Sequence, residues 1–155
     1  MNDREQNNTI STPILALDLG QKRVGVAVSD KLSISITRVE PIHRSSWKHL
    51  LSAVTALVRR FDAQTLVIGF PLRLDGVEGS AALEVRRTAE KLARSLTIPV
   101  YLQDERLTSA AAETKLKEEG FKPNEIRSLV DSESAAIILR DFLQERQNRV
   151  LVFNP

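Results

Sequence analysis

The chain contains no cysteine, and this absence restricts the chemistry it can perform. Disulfide bonds, zinc fingers and thiol catalysis are all excluded. A protein without cysteine is also compatible with a reducing compartment, and we expect this one to be cytoplasmic.

Long apolar runs are missing as well. No stretch reaches the roughly 18 apolar residues that a membrane span requires, so we expect no membrane partner. Segment 1–12 is polar and lacks the pattern of a secretion signal, which predicts a flexible N-terminal tail. Aromatic residues make up only 5% of the chain, so base stacking is not expected to dominate recognition of a nucleic acid.

Charge of one sign is not in large excess, because 22 Lys and Arg residues face 20 Asp and Glu residues. Only the distribution of the charges can therefore indicate a nucleic-acid partner. The 155 residues, 42% of them hydrophobic, are enough for one domain with a sizeable core. We predict a single domain over residues 13–147, followed by a C-terminal tail over 148–155. Within this tail Val150 to Pro155 is apolar, which leaves two alternatives: an extra edge of the sheet or a contact with a partner.

Apolar and alternating runs predict five strands. They lie at Ile14–Gly20, Val24–Asp30, Leu32–Thr37, Thr65–Gly69 and Ile98–Leu102. Short connections make the first three strands an antiparallel meander, whereas helical segments before the fourth and fifth strands predict parallel pairing with the first. The expected fold is α/β, a mixed five-stranded sheet with the first strand central and helices on both faces.

Two carboxylates follow predicted strands at the edge where ligands bind in open α/β sheets. Asp18 closes the first strand and Glu105 follows the fifth. An ionised Asp at the end of a buried strand is costly unless something compensates it. Asp18 therefore either bonds to turn amides or holds a cation.

A third candidate, Asp131, begins an apolar helical stripe in the last helical region, which is predicted to start at Lys122-Pro123 and to end near Arg146. We predict a break near Asp131. As an N-cap it would have Ser134 at the third position, and as a ligand it would face the sheet; the two roles are compatible. Asp30 and Asp75 are better explained as turn residues, and Asp104 as a solvent-facing group. His43 and His49 lack the spacing of metal ligands.

Several basic residues lie in turns, in loops or on a helix face close to the predicted edge. They are Lys22, Arg23, Arg73, Arg86 and Arg106. Such residues usually form a solvated surface, but they become a nucleic-acid footprint if they lie on the same side. We predict that they bind nucleic acid.

Four stretches of the chain resemble one known family when taken together in this order. They are Leu17-Asp18-Leu19-Gly20 with Arg23 to Asp30, Gly69-Phe70-Pro71-Leu72 with Asp75-Gly76, Asp104-Glu105-Arg106-Leu107-Thr108 with Ala112-Glu113, and Val130-Asp131 with Ala135-Ala136 and Ile138-Leu139. The family is the bacterial YqgF or RuvX type of Holliday-junction-resolvase-like nucleases, and the resemblance spans residues 14–146. It implies an RNase H-like fold with Asp18, Glu105 and Asp131 as the catalytic and metal-binding acids.

Two departures from the broader RNase H-like group accompany the resemblance. Many members carry a carboxylate at the end of the fourth strand, where this chain has Gly69-Phe70-Pro71. Some carry a further Asp where this chain has Ser134, so one ion would be held more weakly.

The resemblance implies metal-dependent hydrolysis of phosphodiester bonds, in maturation of the 5′ end of pre-16S ribosomal RNA. Carboxylate oxygens suit Mg²⁺ or Mn²⁺. Resolution of four-way DNA, binding of structured RNA without cleavage, and an actin-like nucleotide site remain alternatives. We expect structured RNA rather than a DNA junction, and a monomer or weak homodimer, because a resolvase would need a symmetric dimer.

Overall fold

One mixed sheet organises the fold. The computed structural model describes residues 9–105, 108–144 and 149–153. The strands are β1 (Ile14–Leu19), β2 (Arg23–Ser29), β3 (Ile36–His43), β4 (Thr65–Phe70), β5 (Val100–Asp104) and β6 (Arg149–Phe153). The helices are α1 (Trp47–Phe61), α2 (Ser80–Ser95), α3 (Thr108–Glu118) and α4 (Pro123–Gln144).

The strand order across the sheet is β3-β2-β1-β4-β5-β6. Antiparallel pairing of β1 with β2 and of β2 with β3, and parallel pairing of β1 with β4 and of β4 with β5, confirm the predicted topology. The predicted number of five strands was wrong. A sixth strand forms within segment 148–155 and pairs antiparallel with β5, so β5 is not an open edge.

The third strand lies later in the chain than its alternating pattern predicted. Leu32 and Ile34 are 75% and 79% exposed, and β3 begins only at Ile36. A turn causes the shift, since Asp30 Oδ1 accepts hydrogen bonds from the backbone amides of Ile34 and Ser35. The alternation in this stretch therefore belongs to a loop.

Alternation along β1 separates two buried apolar clusters. Leu15 and Leu17 pack on the face covered by α1 and α2, whereas Ile14 and Ala16 pack on the face covered by α4. This confirms helices on both faces. Asp18 continues the second series, so β1 directs its carboxylate to the α4 face.

Helix α4 is continuous over 22 residues, so the predicted break near Asp131 was wrong, and Asp131 is not an N-cap. Helix α4 packs closely on the sheet around Asp131, and this packing explains why the helix continues there. A side chain at Gly25 of β2 would collide with the Asp131 carbonyl, and Ser132 Oγ donates to the Val39 carbonyl over 2.9 Å. The polar residues in mid-helix thus contact the sheet. Within the described ranges, no helix is both long and apolar enough to cross a membrane.

Candidate acidic site

Asp18 and Glu105 meet at one edge of the sheet although β4 lies between their strands. The register explains this, because β1, β4 and β5 are parallel and end side by side. The backbone amide of Glu105 donates to the Phe70 carbonyl over 3.1 Å, which ties Glu105 to the end of β4. The two side chains are hydrogen-bonded, with Glu105 donating to Asp18.

Gly69 of β4 makes room for this contact. A β-carbon at this position would lie 2.6 Å from Glu105 Oε2 and 2.5 Å from Ile138 Cδ1. The carboxylate of Glu105 therefore occupies the space that a side chain at the end of β4 would fill. A side chain at position 69 would have to displace the ends of the Glu105 and Ile138 side chains, so the glycine permits Glu105 to lie over β4.

Burial raises the pKa of both carboxyl groups. For Glu105 the raised pKa is about 9, through burial first and the neighbouring Asp18 charge second. For Asp18, burial and the charge of Asp131 raise the pKa, while the hydrogen bond from Glu105 opposes them. With a pKa of about 9, Glu105 keeps its proton at neutral pH and donates it to Asp18.

Asp131 completes the acidic cluster but turns its carboxylate towards a cation. Arg23 Nε lies 3.0 Å from Asp131 Oδ2. The N–H does not point well enough for a hydrogen bond, and within the described ranges this buried oxygen has no hydrogen-bond partner. Asp131 is thus near enough to act on Asp18 electrostatically while Arg23 balances its charge.

Comparison with known proteins identifies the family. The sequence matches RuvX, described as Holliday junction resolvase, over residues 12–145. The chain belongs to the RuvX family. A relative from Syntrophus aciditrophicus is 42% identical over 130 residues, which are 84% of this chain and 87% of that protein. A relative from Anaeromyxobacter sp. (strain Fw109-5) is 39% identical over 132 residues, which are 85% of this chain and 96% of that protein. Both are named "Putative pre-16S rRNA nuclease".

Solved structures confirm the RNase H-like fold for this RuvX family member. Thermus thermophilus RuvC has a TM-score of 0.54 at 14% identity, covering 90% of this chain and 99% of that one. The fowlpox virus Holliday junction resolvase has a TM-score of 0.53 at 15% identity, and the match covers 86% of this chain and 99% of that one. At such identities the likeness establishes the fold alone. Strand β6 lies beyond the residues that match the family.

Four of the five predicted basic residues of this RuvX protein follow, or contact, the carboxyl ends of β1 and β4. Lys22 and Arg23 are exposed where β1 turns into β2. Arg73 is exposed in the loop after β4, with Nη2 3.4 Å from Asp75 Oδ2. The Arg86 guanidinium lies 5.0 Å above the Phe70 ring at the end of β4. Arg106 lies outside the described residues.

Sequence reasoning missed a buried ionic cluster on the same helix as Asp131. Glu133 is 1% exposed and contacts three cations at 2.9 to 3.1 Å, namely Arg38, Lys115 and Arg140. Burial opposes ionisation, but the hydrogen bonds from Lys115 and Arg140 lower the pKa of Glu133. The cluster links α4 to α3 and β3. The only signal in the sequence was a Glu within an apolar stripe, which by itself does not reveal its partners.

Arg149 was missed for a different reason. It lies opposite Gln103 at the start of β6, hence at the carboxyl end of β5, and its guanidinium lies 4.6 Å above the Phe142 ring of α4. This brings a further partly exposed cation to the acidic edge. The apolar tail is compatible with an extra edge strand, but the sequence does not give the register that places Arg149 opposite Gln103.

Proposed function

We propose that this RuvX family member is a metal-dependent endonuclease that hydrolyses phosphodiester bonds in structured RNA. The observation that carries the proposal is the hydrogen-bonded pair Asp18 and Glu105, half-buried at the ligand-binding edge of the sheet beside Asp131. Burying two carboxyl groups against each other destabilises a fold, and such clusters are typical of functional sites. We assign Asp18, Glu105 and Asp131 as the catalytic acids.

Mg²⁺ or Mn²⁺ fits the donor set, since all three acids offer oxygen only and Asp131 Oδ2 is buried without a hydrogen-bond partner in the described residues. Within those residues, no three acidic, histidine or cysteine side chains are arranged to hold an ion as they stand. In this arrangement Arg23 balances the charge of Asp131, and one proton joins Asp18 to Glu105. A bound divalent ion supplies Lewis-acid chemistry that activates water and stabilises the leaving oxygen.

The residues of the chain have distinct tasks in this proposal. Loss of the shared proton frees the carboxylates of Asp18 and Glu105 for an ion. Arg23, 46% exposed, is placed to exchange its contact with Asp131 for a substrate phosphate. Lys22, Arg73, Arg86 and Arg106 are assigned to flanking phosphates, and Arg149 extends this set on the β5 side.

The relatives' name favours RNA, and we propose processing at the 5′ end of pre-16S rRNA in the cytoplasm by a monomer or weak homodimer. Four-way DNA is the second candidate. The family description favours it, as does a likeness to T. thermophilus RuvC in complex with Holliday junction substrate, with a TM-score of 0.55. Cleavage of a junction on two strands requires a symmetric dimer, so the oligomeric state helps to separate the two substrates.

The test incubates the purified protein with a 5′-extended pre-16S RNA fragment and with a four-way DNA junction, each with EDTA, Mg²⁺ or Mn²⁺. We expect metal-dependent cleavage of the RNA by the parental protein. The Asp18→Asn variant should lose cleavage by at least about a hundredfold while keeping its fold, because it lacks a charged oxygen ligand. Asp62→Asn, at an exposed carboxylate in a left-handed helix cap, is the matched control.

Three results contradict the proposal in different ways. Cleavage by Asp18→Asn at the parental rate would remove the acidic site from the mechanism. Preferential cleavage of the junction by a dimer would favour the second candidate. Salt-sensitive RNA binding without turnover in any metal would indicate a binding module.

A further inference from the structure

Gln103 is a buried polar residue that the assigned site does not use. It is fully buried on β5, and within the described ranges neither its Nε2 nor its Oε1 has a hydrogen-bond partner. A buried amide with both groups unsatisfied is costly, and a native protein rarely keeps one without a reason.

The sheet places Gln103 beside the acidic pair. Tyr101 packs on the α4 face, so alternation along β5 puts Gln103 and Glu105 on this face too. Gly69 is the β4 partner of Gln103, and the Glu105 carboxylate lies over Gly69. Because adjacent strands are about 4.8 Å apart, the Gln103 amide and the Glu105 carboxylate border the same space above Gly69.

From this juxtaposition above Gly69, we infer that Gln103 is a positioning residue whose amide Nε2 donates a hydrogen bond to Glu105 when that carboxylate turns to hold a divalent ion. The inference rests on the proposed function, since it assigns Glu105 to the ion. The amide has no partner in the resting arrangement because Glu105 then bonds to Asp18. Gln103 touches neither substrate nor ion, being fully buried, and it acts only through Glu105.

The test replaces Gln103 by Met, which keeps the length and approximate volume of the side chain but removes both polar groups. For metal-free protein we expect a higher midpoint of urea unfolding, because the variant no longer buries an unsatisfied amide. Mn²⁺ binding, measured by titration calorimetry without RNA, should weaken about tenfold. In cleavage assays kcat should fall at saturating RNA while KM for RNA stays unchanged. Tyr101→Phe, which removes a hydroxyl from the same strand and face, is the matched control.

Two results would overturn the inference. A Gln103→Met protein that is more stable yet binds Mn²⁺ like the parental protein would make Gln103 merely a tolerated buried amide. A lower unfolding midpoint would mean that the amide already has a partner in the metal-free fold. A parental protein that binds Mn²⁺ but cuts no RNA would instead refute the proposed function, and the Mn²⁺ comparison would still test Gln103. A parental protein that binds no Mn²⁺ would refute both.

Discussion

Replacing Glu105 by Gln is expected to stabilise the metal-free protein, and the gain should depend on pH. Gln has the shape of the protonated acid, can donate to Asp18 and fits over Gly69 in the same way. The variant therefore keeps the resting contacts but removes the need to hold a proton in the folded state.

The size of the effect follows from linkage between proton binding and folding. The pKa of Glu105 is raised from its ordinary value of 4.5 to about 9, so the folded protein holds the proton more tightly than the unfolded chain. Its stability must therefore fall as the pH rises between these two values, by at most about 1.4 kcal/mol per pH unit. At pH 7 the variant should exceed the parental protein by up to about 3 kcal/mol in free energy of unfolding.

Urea unfolding in EDTA at pH 5, 6, 7 and 8 measures this difference, because subtraction of the two proteins cancels the titration of every group that does not interact with Glu105. The advantage of Glu105→Gln should be small at pH 5 and should grow at each step. Glu118→Gln, at an exposed carboxylate near the end of α3, should show no such growth. A constant difference across this range, or a variant less stable than the parental protein at pH 8, would refute the shared proton at the acidic pair.

Two further substitutions test the packing of α4. Gly25→Ala should destabilise the fold by about 1–3 kcal/mol and lower cleavage, because the new methyl group collides with the Asp131 carbonyl. Gly79→Ala is the control: its methyl group would meet only the flexible Arg73 side chain at 3.3 Å, so the free energy of chemical unfolding should change little. Glu133→Gln should cost about 1–2 kcal/mol at pH 7, since its cations are about one-third exposed. Because the pKa of Glu133 is lowered in the folded protein, this loss of stability should shrink as the pH falls below 4.5. Equal losses of stability at pH 3.5 and pH 7, measured from unfolding curves, would contradict the prediction.

The sequence by itself was sufficient to predict most of the sheet and to select the candidate acids. Apolar runs and helical spacing depend on local periodicity, which a single chain displays directly. The strand ends at Asp18 and Glu105 follow from the same signals, and parallel order then brings both residues to one edge. Residue types at a strand end thus predicted a site before any distance was known.

Only the tertiary structure decided which groups neutralise one another. Gly69 leaves space for Glu105, Gly25 admits the backbone of α4, and β6 covers the edge of β5 and positions Arg149 beside Gln103. Each of these contacts joins residues that are distant in the chain, so local periodicity carries no signal for them. Whether a buried carboxyl group holds a proton, an arginine or an ion depends on atoms within a few ångströms, and the folded chain alone brings those atoms together.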